Sequence, residues 1–207
     1  MKQHEKEHRK RIVVKYGGAS LADHERILKA VTAVAEEAKK GTQIAVIVSA
    51  MGKTTDQLLH AAKNASNGKV DKRELDEILA MGERTSIRIF AAALKAQGIE
   101  SRYFDPLDPD WPIITDNVFS DANPLLDKCE ERIQQYVLPL VEKGVIPVIA
   151  GFIGRTTDER ITTLGRGGSD TTAFILAKAL GADGLILVTD AEGIMSADPK
   201  IISKPER

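Results

Sequence analysis

The sequence contains little of several residue types that would indicate particular classes of protein. A single cysteine, Cys129, occurs among its 207 residues. One thiol excludes an intramolecular disulfide and a cysteine-rich zinc site, and it fits a reducing environment. Aromatic residues make up only 4% of the chain, and no apolar run reaches the length of a membrane-spanning helix. These absences predict a soluble, cytoplasmic protein with no membrane association.

Neither sign of charge is in excess. The chain has 29 Lys and Arg residues against 30 Asp and Glu residues, which gives a net charge of −1. This balance argues against a protein that holds nucleic acid by bulk positive charge. Residues 1–10 are charged and are followed by no apolar signal core, so we expect a disordered tail. The four histidines show no metal-binding spacing in an ordered element, and we predict no protein metal site.

Alternating apolar runs and amphipathic stretches predict an α/β fold. Buried strands are expected at 12–14, 44–48, 145–150 and 185–188. Helices are expected at 23–41, 56–65, 71–98, 124–143 and 169–181. Strands separated by helices favour a mainly parallel sheet that is covered on both faces.

Local signals refine this outline. Asp23 and Asp71 are expected to cap helices, and Ser169 or Asp170 is expected to cap the last helix, whose apolar face includes Phe174. Gly82 inside the long helix suggests a packing or ligand contact, because a mid-helix glycine costs about 1 kcal/mol. Residues 105–124 are expected to be loop or short strand, and residues 154–162 are hairpin-like.

Polar and glycine residues follow each predicted strand. These segments are 15–20, 49–53, 151–154 and 189–193. In open α/β sheets ligands bind at the carboxyl ends of the strands. The sequence therefore places a site at this edge of the sheet.

Two common nucleotide-binding signatures are incomplete. Residues 52–54 resemble the end of a P-loop, but position 47 is isoleucine where that motif needs glycine. Residues 165–170 resemble a dinucleotide-binding loop, but position 170 is aspartate where that motif needs glycine. A P-loop ATPase and a Rossmann dehydrogenase are both disfavoured.

Phosphate chemistry still fits two segments. Lys15 ends a predicted strand before Gly17 and Gly18, a pattern that suits an anion as well as a structural turn. Residues 165–172 open a helix whose free N–H groups and positive dipole end attract anions, and Arg166 suits a carboxylate. Glu83 is either a surface charge or an acid that meets an ammonium group.

The motifs together resemble the aspartate kinases of the amino-acid kinase family. The matching segments occur in the family's order and cover the chain from about residue 11 to its end. They are Lys15-Tyr16-Gly17-Gly18-Ala19-Ser20, Val48-Ser49-Ala50-Met51-Gly52, Gly82-Glu83-Arg84, residues 163–172 and residues 189–200. The segment Leu164-Gly165-Arg166-Gly167-Gly168-Ser169-Asp170 is the most specific of them.

The resemblance implies an open α/β/α sandwich and transfer of phosphate from ATP to the β-carboxylate of L-aspartate, at the start of lysine, methionine and threonine biosynthesis. It implies that Lys15 stabilises the transferring phosphoryl group and that Asp170 orients this lysine or the substrate amine. The implied amino-acid ligands are Ser49, Thr55, Glu83, Phe152, Arg166 and Ser169. The implied ATP contacts are Lys15, Gly17, Gly18, Ser20, Thr189, Asp190, Asp198 and Lys200, with Mg²⁺ carried by the ATP phosphates.

The resemblance also implies features that are not found in this sequence. The family continues through a second lysine segment and usually through ACT-type regulatory domains, whereas this sequence ends at Arg207. We expect residues 11–207 to form a kinase domain with an incomplete ATP half, weak or absent activity, and no feedback inhibition. Family members commonly associate, so the resemblance allows a homo-oligomer, but the surfaces that associate in the family are partly absent from this sequence. The alternatives are a kinase for acetylglutamate, glutamate or carbamate, and a non-catalytic fragment that binds a nucleotide or an amino acid.

Overall fold

A five-stranded parallel sheet forms the centre of the computed structural model, which describes residues 9–189. The strands of this sheet are β1 (Arg11–Tyr16), β2 (Gln43–Val48), β3 (Ser101–Phe104), β5 (Ile146–Ala150) and β8 (Gly184–Val188). Their order across the sheet is β3-β5-β2-β1-β8. Every neighbouring pair is parallel, which confirms the predicted sheet.

Helices cover the sheet on both sides. They are α1 (His24–Lys39), α2 (Thr54–Ala65), α3 (Lys72–Ala96), α4 (Leu126–Arg132), α5 (Leu138–Glu142) and α6 (Gly168–Ala179). The helices α1 and α3 contact each other and the sheet, while α5 and α6 pack on the other side. All six residues of β2 are buried, as expected for a strand covered on both faces. The predicted α/β/α sandwich is confirmed, and no helix in the described range is long and apolar enough to cross a membrane.

A smaller sheet lies beside the central one. It contains β4 (Ile114–Thr115), β6 (Ile153–Thr156) and β7 (Ile161–Thr163). The strands β6 and β7 are antiparallel, which confirms the predicted hairpin. The strand β3 of the central sheet was not predicted, because it has only four residues and only its two end residues are buried.

The prediction of one continuous helix over residues 124–143 is wrong. It is interrupted by a π-helical turn over Ile133–Val137, where the N–H of Leu138 donates to the carbonyl oxygen of Ile133. Pro139 follows directly and has no N–H to donate to the carbonyl four residues earlier. The wider turn therefore falls where the regular hydrogen-bond ladder is already broken.

Three further expectations at the end of the described chain are wrong. Neither Ser169 nor Asp170 caps α6, because the helix begins at Gly168 after Gly167, whose φ is +75°. Phe174 is 59% exposed and does not belong to the core face. The strand β8 is not buried, since Ile186 and Leu187 are exposed on its two faces. Among the described strands it pairs only with β1, so it forms the edge of the sheet.

Candidate active site

A cavity of about 280 Å³ opens at the carboxyl ends of β1, β2 and β5. The N-terminus of α6 and the buried face of α3 complete its wall. Its lining residues are Lys15, Gly17, Gly18, Ser49, Thr55, Glu83, Phe152, Gly165, Gly167, Gly168, Ser169 and Asp170. The sequence placed a site at this edge, and the structure brings nine of the predicted site residues together with Gly165, Gly167 and Gly168 around one space.

Lys15 supplies the cationic group of the cavity. It lies near the end of β1, and its side chain is only 13% exposed. Its Nζ lies 2.7 Å from Oδ1 of Asp170, in the first turn of α6. This ion pair fixes the ammonium group at the cavity wall, where it can meet a negatively charged ligand.

The turn after β1 passes very close to the turn after β2. The carbonyl oxygen of Gly18 accepts a hydrogen bond of 2.9 Å from the N–H of Gly52. A Cβ at position 18 would lie 2.8 Å from the carbonyl oxygen of Ala50 and 3.0 Å from that of Gly52. Only glycine fits between these backbone atoms, which keeps this wall of the cavity free of side-chain bulk.

The serine hydroxyls join the central sheet to α6. Ser49 Oγ donates to Ser169 Oγ at 3.0 Å. A Cβ at position 151, just after β5, would lie 2.5 Å from the same Ser169 hydroxyl. The close approach of these three residues fixes the position of the α6 N-terminus against the strand ends.

Glu83 is a buried acid with one free oxygen. It lies on α3 and is 3% exposed. Its Oε1 accepts a 3.0 Å hydrogen bond from the N–H of Ala50, while its Oε2 is buried and has no partner among the described residues. Burial raises the pKa of this carboxyl to about 7. A cationic ligand in the cavity would satisfy the free oxygen and favour the ionised form.

The neighbouring Gly82 has a packing role. A Cβ there would lie 2.8 Å from the Cβ of Ala50, so α3 approaches the turn after β2 at a distance that no larger residue permits. This close approach brings Glu83 within hydrogen-bond distance of Ala50. The packing contact expected for Gly82 is confirmed.

Phe152 adopts a backbone conformation that is unusual for a large side chain. Its φ is +66°, in the left-handed region. A Cβ on Gly168 would lie 3.1 Å from the Phe152 Cα. Such conformations cost of order 1–3 kcal/mol and cluster at functional sites. The residue lies between the end of β5 and the start of α6.

The N-terminus of α6 has no side-chain cap from the described residues. Its first turn faces the cavity through Gly168, Ser169 and Asp170. An uncapped N-terminus carries partial positive charge and attracts anions. Together with Lys15, it gives one side of the cavity an anion-binding character.

Three predicted site residues within the described range do not line the cavity. Arg166 is exposed, although Gly165 and Gly167 on either side of it are lining residues. Ser20 lies in the 3-10 turn Gly18–Leu21, and Thr189 follows β8 and is exposed. Asp190, Asp198 and Lys200 lie outside the described residues.

Sequence reasoning did not place the three loop glycines, Gly165, Gly167 and Gly168, in the site, although it singled out their segment. It also gave no role to Asp76, a buried acid on α3. The spacing of Asp76 and Glu83, two turns apart on one helix face, was the available signal. Over residues 9–189, no group of three or more acidic, histidine or cysteine side chains could hold a metal ion.

Sequence comparison identifies the wider group. Residues 10–207 match the model of the amino acid kinase family. An aspartokinase of Thermus thermophilus is 42% identical over 196 residues, which are 95% of this chain and 46% of that protein. The aspartokinase of Bacillus sp. (strain MGA3) is 41% identical over 198 residues, again 95% of this chain and 46% of that protein. The chain thus spans about half the length of the curated relatives it matches.

Solved structures agree with this assignment. E. coli aspartokinase III in complex with aspartate and ADP superposes with a TM-score of 0.84 at 26% identity, covering 95% of this chain and 53% of that chain. An isopentenyl phosphate kinase shares the fold at a TM-score of 0.67 and 17% identity, covering 95% of this chain and 80% of that chain. The family match, the parallel sheet and the cavity at its carboxyl edge establish that the chain belongs to the amino acid kinase family.

Proposed function

We propose that this chain carries the catalytic region of an aspartate kinase. In the reaction, an oxygen of the β-carboxylate of L-aspartate attacks the γ-phosphorus of ATP. The bond from that phosphorus to the β–γ bridging oxygen breaks, and ADP leaves with the electron pair. The products are 4-phospho-L-aspartate and ADP.

One observation carries the proposal: a single cavity combines an anion-binding side with a buried, half-satisfied acid. Lys15 and the α6 N-terminus form the first, and Glu83 forms the second. A zwitterionic amino acid that is to receive a phosphoryl group needs both. The identity of more than 40% to aspartokinases favours aspartate over acetylglutamate, glutamate or carbamate.

Phosphoryl transfer depends mainly on positioning and on neutralising charge. Lys15 is suited to this role because Asp170 holds its ammonium group at the cavity wall. The backbone of Gly17 and Gly18 leaves room for phosphate oxygens beside it. We assign Lys15 to the transferring phosphoryl group and Asp170 to the orientation of Lys15.

The amino acid would bind on the α3 side of the cavity. The free oxygen of Glu83 would accept a hydrogen bond from the α-ammonium group, and Arg166 would pair with the α-carboxylate from the mouth. Polar contacts would come from Ser49, Thr55 and Ser169, and Phe152 would flank the substrate. Arg166 is free to do so because it has no hydrogen bond or ion pair within residues 9–189.

ATP would approach from the side of β8. The proposed contacts are Gly17, Gly18, Ser20 and Thr189 in the described range and Asp190, Asp198 and Lys200 beyond it. Mg²⁺, which would neutralise the phosphates, would be held by ATP itself. We propose residues 11–207 as one kinase domain that holds the amino-acid subsite and part of the ATP subsite, and we propose self-association by analogy with the family.

Trapping of the acyl phosphate tests this function. The purified chain is incubated with L-aspartate, Mg·ATP and hydroxylamine, and aspartyl hydroxamate is measured by its colour with ferric iron. Lys15→Ala is expected to lower the rate at least about 100-fold, the range found when a charge-stabilising group is removed. Lys29→Ala, on the exposed face of α1, serves as the matched control and is expected to leave the rate unchanged.

A second chain and a substrate panel complete the test. A chain extended to the full length of its relatives is assayed in parallel, with acetylglutamate, glutamate and carbamate as competing substrates. Activity that returns only in the longer chain would assign the remaining ATP contacts to the extension. No activity of the extended chain with aspartate, or a preference for another acid, would contradict the proposal.

A further inference from the structure

Asp76 is a buried carboxylate outside the cavity that accepts four hydrogen bonds. It lies on α3 and is 0% exposed. Its Oδ2 accepts from the N–H groups of Ser120 at 2.8 Å and Thr163 at 3.0 Å. Its Oδ1 accepts from the hydroxyl groups of the same two residues at 3.1 Å and 2.9 Å.

These donors are all neutral. Among the ion pairs of the described residues, none includes Asp76. A carboxylate buried without a cation is retained only where hydrogen bonds satisfy it, since the desolvation of an ionised group is costly. Asp76 therefore acts as an anchor that binds the backbone N–H and the hydroxyl group of both Ser120 and Thr163, rather than as half of an ion pair.

The anchor holds one segment that borders the cavity and a second segment that packs against the first. Thr163 is the last residue of β7, directly before the loop that carries Gly165, Gly167 and Gly168. Ser120 has φ of +70°, a strained value that its two hydrogen bonds to Asp76 stabilise.

The two segments also contact each other. The N–H of Ala122 donates to the carbonyl oxygen of Thr163 at 2.9 Å. A Cβ on Gly165 would lie 2.5 Å from Asp121 Oδ1, so the loop at 116–123 packs directly against the lining loop. Movement of either segment would therefore move the other.

One face of α3 contacts two of the segments that surround the proposed amino-acid subsite. Asp76 lies two turns before Glu83 on the buried face of α3. Glu83 binds the turn after β2 through the N–H of Ala50, while Asp76 binds the end of β7. The helix thus fixes the distance between the free oxygen of Glu83 and the loop that carries Arg166.

We infer that Asp76 is a positioning residue for amino-acid binding, acting through Thr163 and Ser120 on the loop at 164–168. The inference rests on the proposed function for the identity of the substrate. Its geometric content, the restraint of the loop by Asp76, is independent of that function.

Two substitutions separate anchoring from charge. Asp76→Ala removes all four acceptor contacts. In Asp76→Asn, the amide oxygen can accept from the two backbone N–H groups while its NH₂ group donates to the two hydroxyl oxygens, which accept as well as donate. The asparagine variant therefore keeps the anchor without the charge.

The kinetic test measures KM for L-aspartate and for ATP in the hydroxamate assay, with the chain length that proves active. Asp76→Ala is expected to raise KM for aspartate about tenfold or more and to leave KM for ATP within about twofold, the loss expected when a buried hydrogen-bond anchor disappears. Asp76→Asn is expected to restore both values. Equal increases in the two KM values, or no rescue by asparagine, would overturn the inference.

A readout without activity keeps the two proposals distinguishable. Hydrogen–deuterium exchange of residues 116–123 and 162–168 is expected to speed up at least about tenfold in Asp76→Ala and to stay at the wild-type rate in Asp76→Asn. Thr163→Val, which removes one hydroxyl contact, gives a milder change in a chain that folds. Ser86→Ala is the control, a buried change on the same helix whose hydroxyl bonds only the Gly82 carbonyl within residues 9–189. Unchanged exchange in a folded Asp76→Ala would overturn the positioning role even if the kinase assay fails.

Discussion

Lys15 Nζ lies 2.7 Å from Asp170 Oδ1, and the two residues come from opposite ends of the described chain. Strand β1 lies between β2 and β8 in the sheet, and α6 packs on these three strands. This packing brings the first turn of α6 to Lys15 near the end of β1. Strand order thus brings a cation and a helix N-terminus to one side of the cavity. Glu83, the buried acid of α3 that lines the cavity, faces the same space.

The affinity for the amino acid is expected to depend on pH through Glu83. Its pKa is about 7 in the folded protein, so the carboxyl is neutral below that pH and ionised above it. The substrate ammonium stays charged throughout and favours the ionised form. We therefore expect KM for aspartate to fall as pH rises from about 6 to about 8, and Glu83→Gln to abolish this dependence. A wild-type profile that matches the glutamine variant over this range would refute the contact.

Glu83 also has a predicted effect on stability, of the opposite sign to most acids. Its folded pKa lies above the ordinary value of 4.5. Its neutral form therefore stabilises the fold fully below pH 4.5, and this contribution is lost as pH rises through about 7. Relative to Glu83→Gln, the wild-type free energy of unfolding is expected to decrease between about pH 5 and 8, by at most about 3 kcal/mol. Urea unfolding of both proteins at several pH values measures the difference, and a constant difference contradicts it.

Gly18→Ala is expected to destabilise the fold by about 1 to 3 kcal/mol, because the added Cβ meets two backbone carbonyl oxygens that cannot rotate away. It should also lower kinase activity, since the shifted backbone borders the proposed phosphate site. Gly184→Ala is the matched control, with its nearest neighbour 3.9 Å from the added Cβ. Thermal unfolding of the two variants decides the point: equal melting temperatures would show that the turn after β1 is looser than the structure indicates.

Arg166→Ala is expected to separate binding from stability. The side chain is exposed and has no hydrogen bond or ion pair within residues 9–189, so the free energy of unfolding should change by no more than about 0.5 kcal/mol. KM for aspartate should rise at least about tenfold, through loss of the α-carboxylate pair. Arg166→Lys should restore only part of the affinity, because lysine lacks the two-pronged geometry. A KM unaffected by alanine would remove Arg166 from the site.

The sequence predicted the helix caps, the position of the cavity and the packing role of Gly82, because each leaves a signal among residues that are close together in the chain. Asp23 and Asp71 cap α1 and α3 through their side chains, as their positions before the helical patterns indicated. The polar and glycine-rich segments after the strands predicted the edge of the sheet at which the cavity lies. The cost of a glycine inside a helix predicted a packing role for Gly82, and its close approach to Ala50 accounts for that role.

Features set by tertiary contacts left no such signal. The anchor at Asp76 joins residues 87 positions apart, and no local pattern reveals its partner. The positive φ of Phe152 occurs where the chain approaches Gly168, and a Cβ at position 168 would lie 3.1 Å from the Phe152 Cα. Apolar composition predicted β8 to be buried, but strand order decides burial, and β8 is the last strand of the sheet within residues 9–189.

The pairing of β1 with β8 has a consequence for how the protein is made. Ile12 aligns with Gly184, so the first strand described pairs with the last one described. The N–H of Gly17, beside the proposed phosphate site, bonds the carbonyl oxygen of Val188. Because such distant pairings form late and slowly, the nascent chain exposes the edge of β1 until synthesis has passed residue 188. The backbone bond that holds Gly17 beside the proposed phosphate site can therefore form only after β8 has been synthesised. Chaperone dependence should be greatest for chains interrupted before β8.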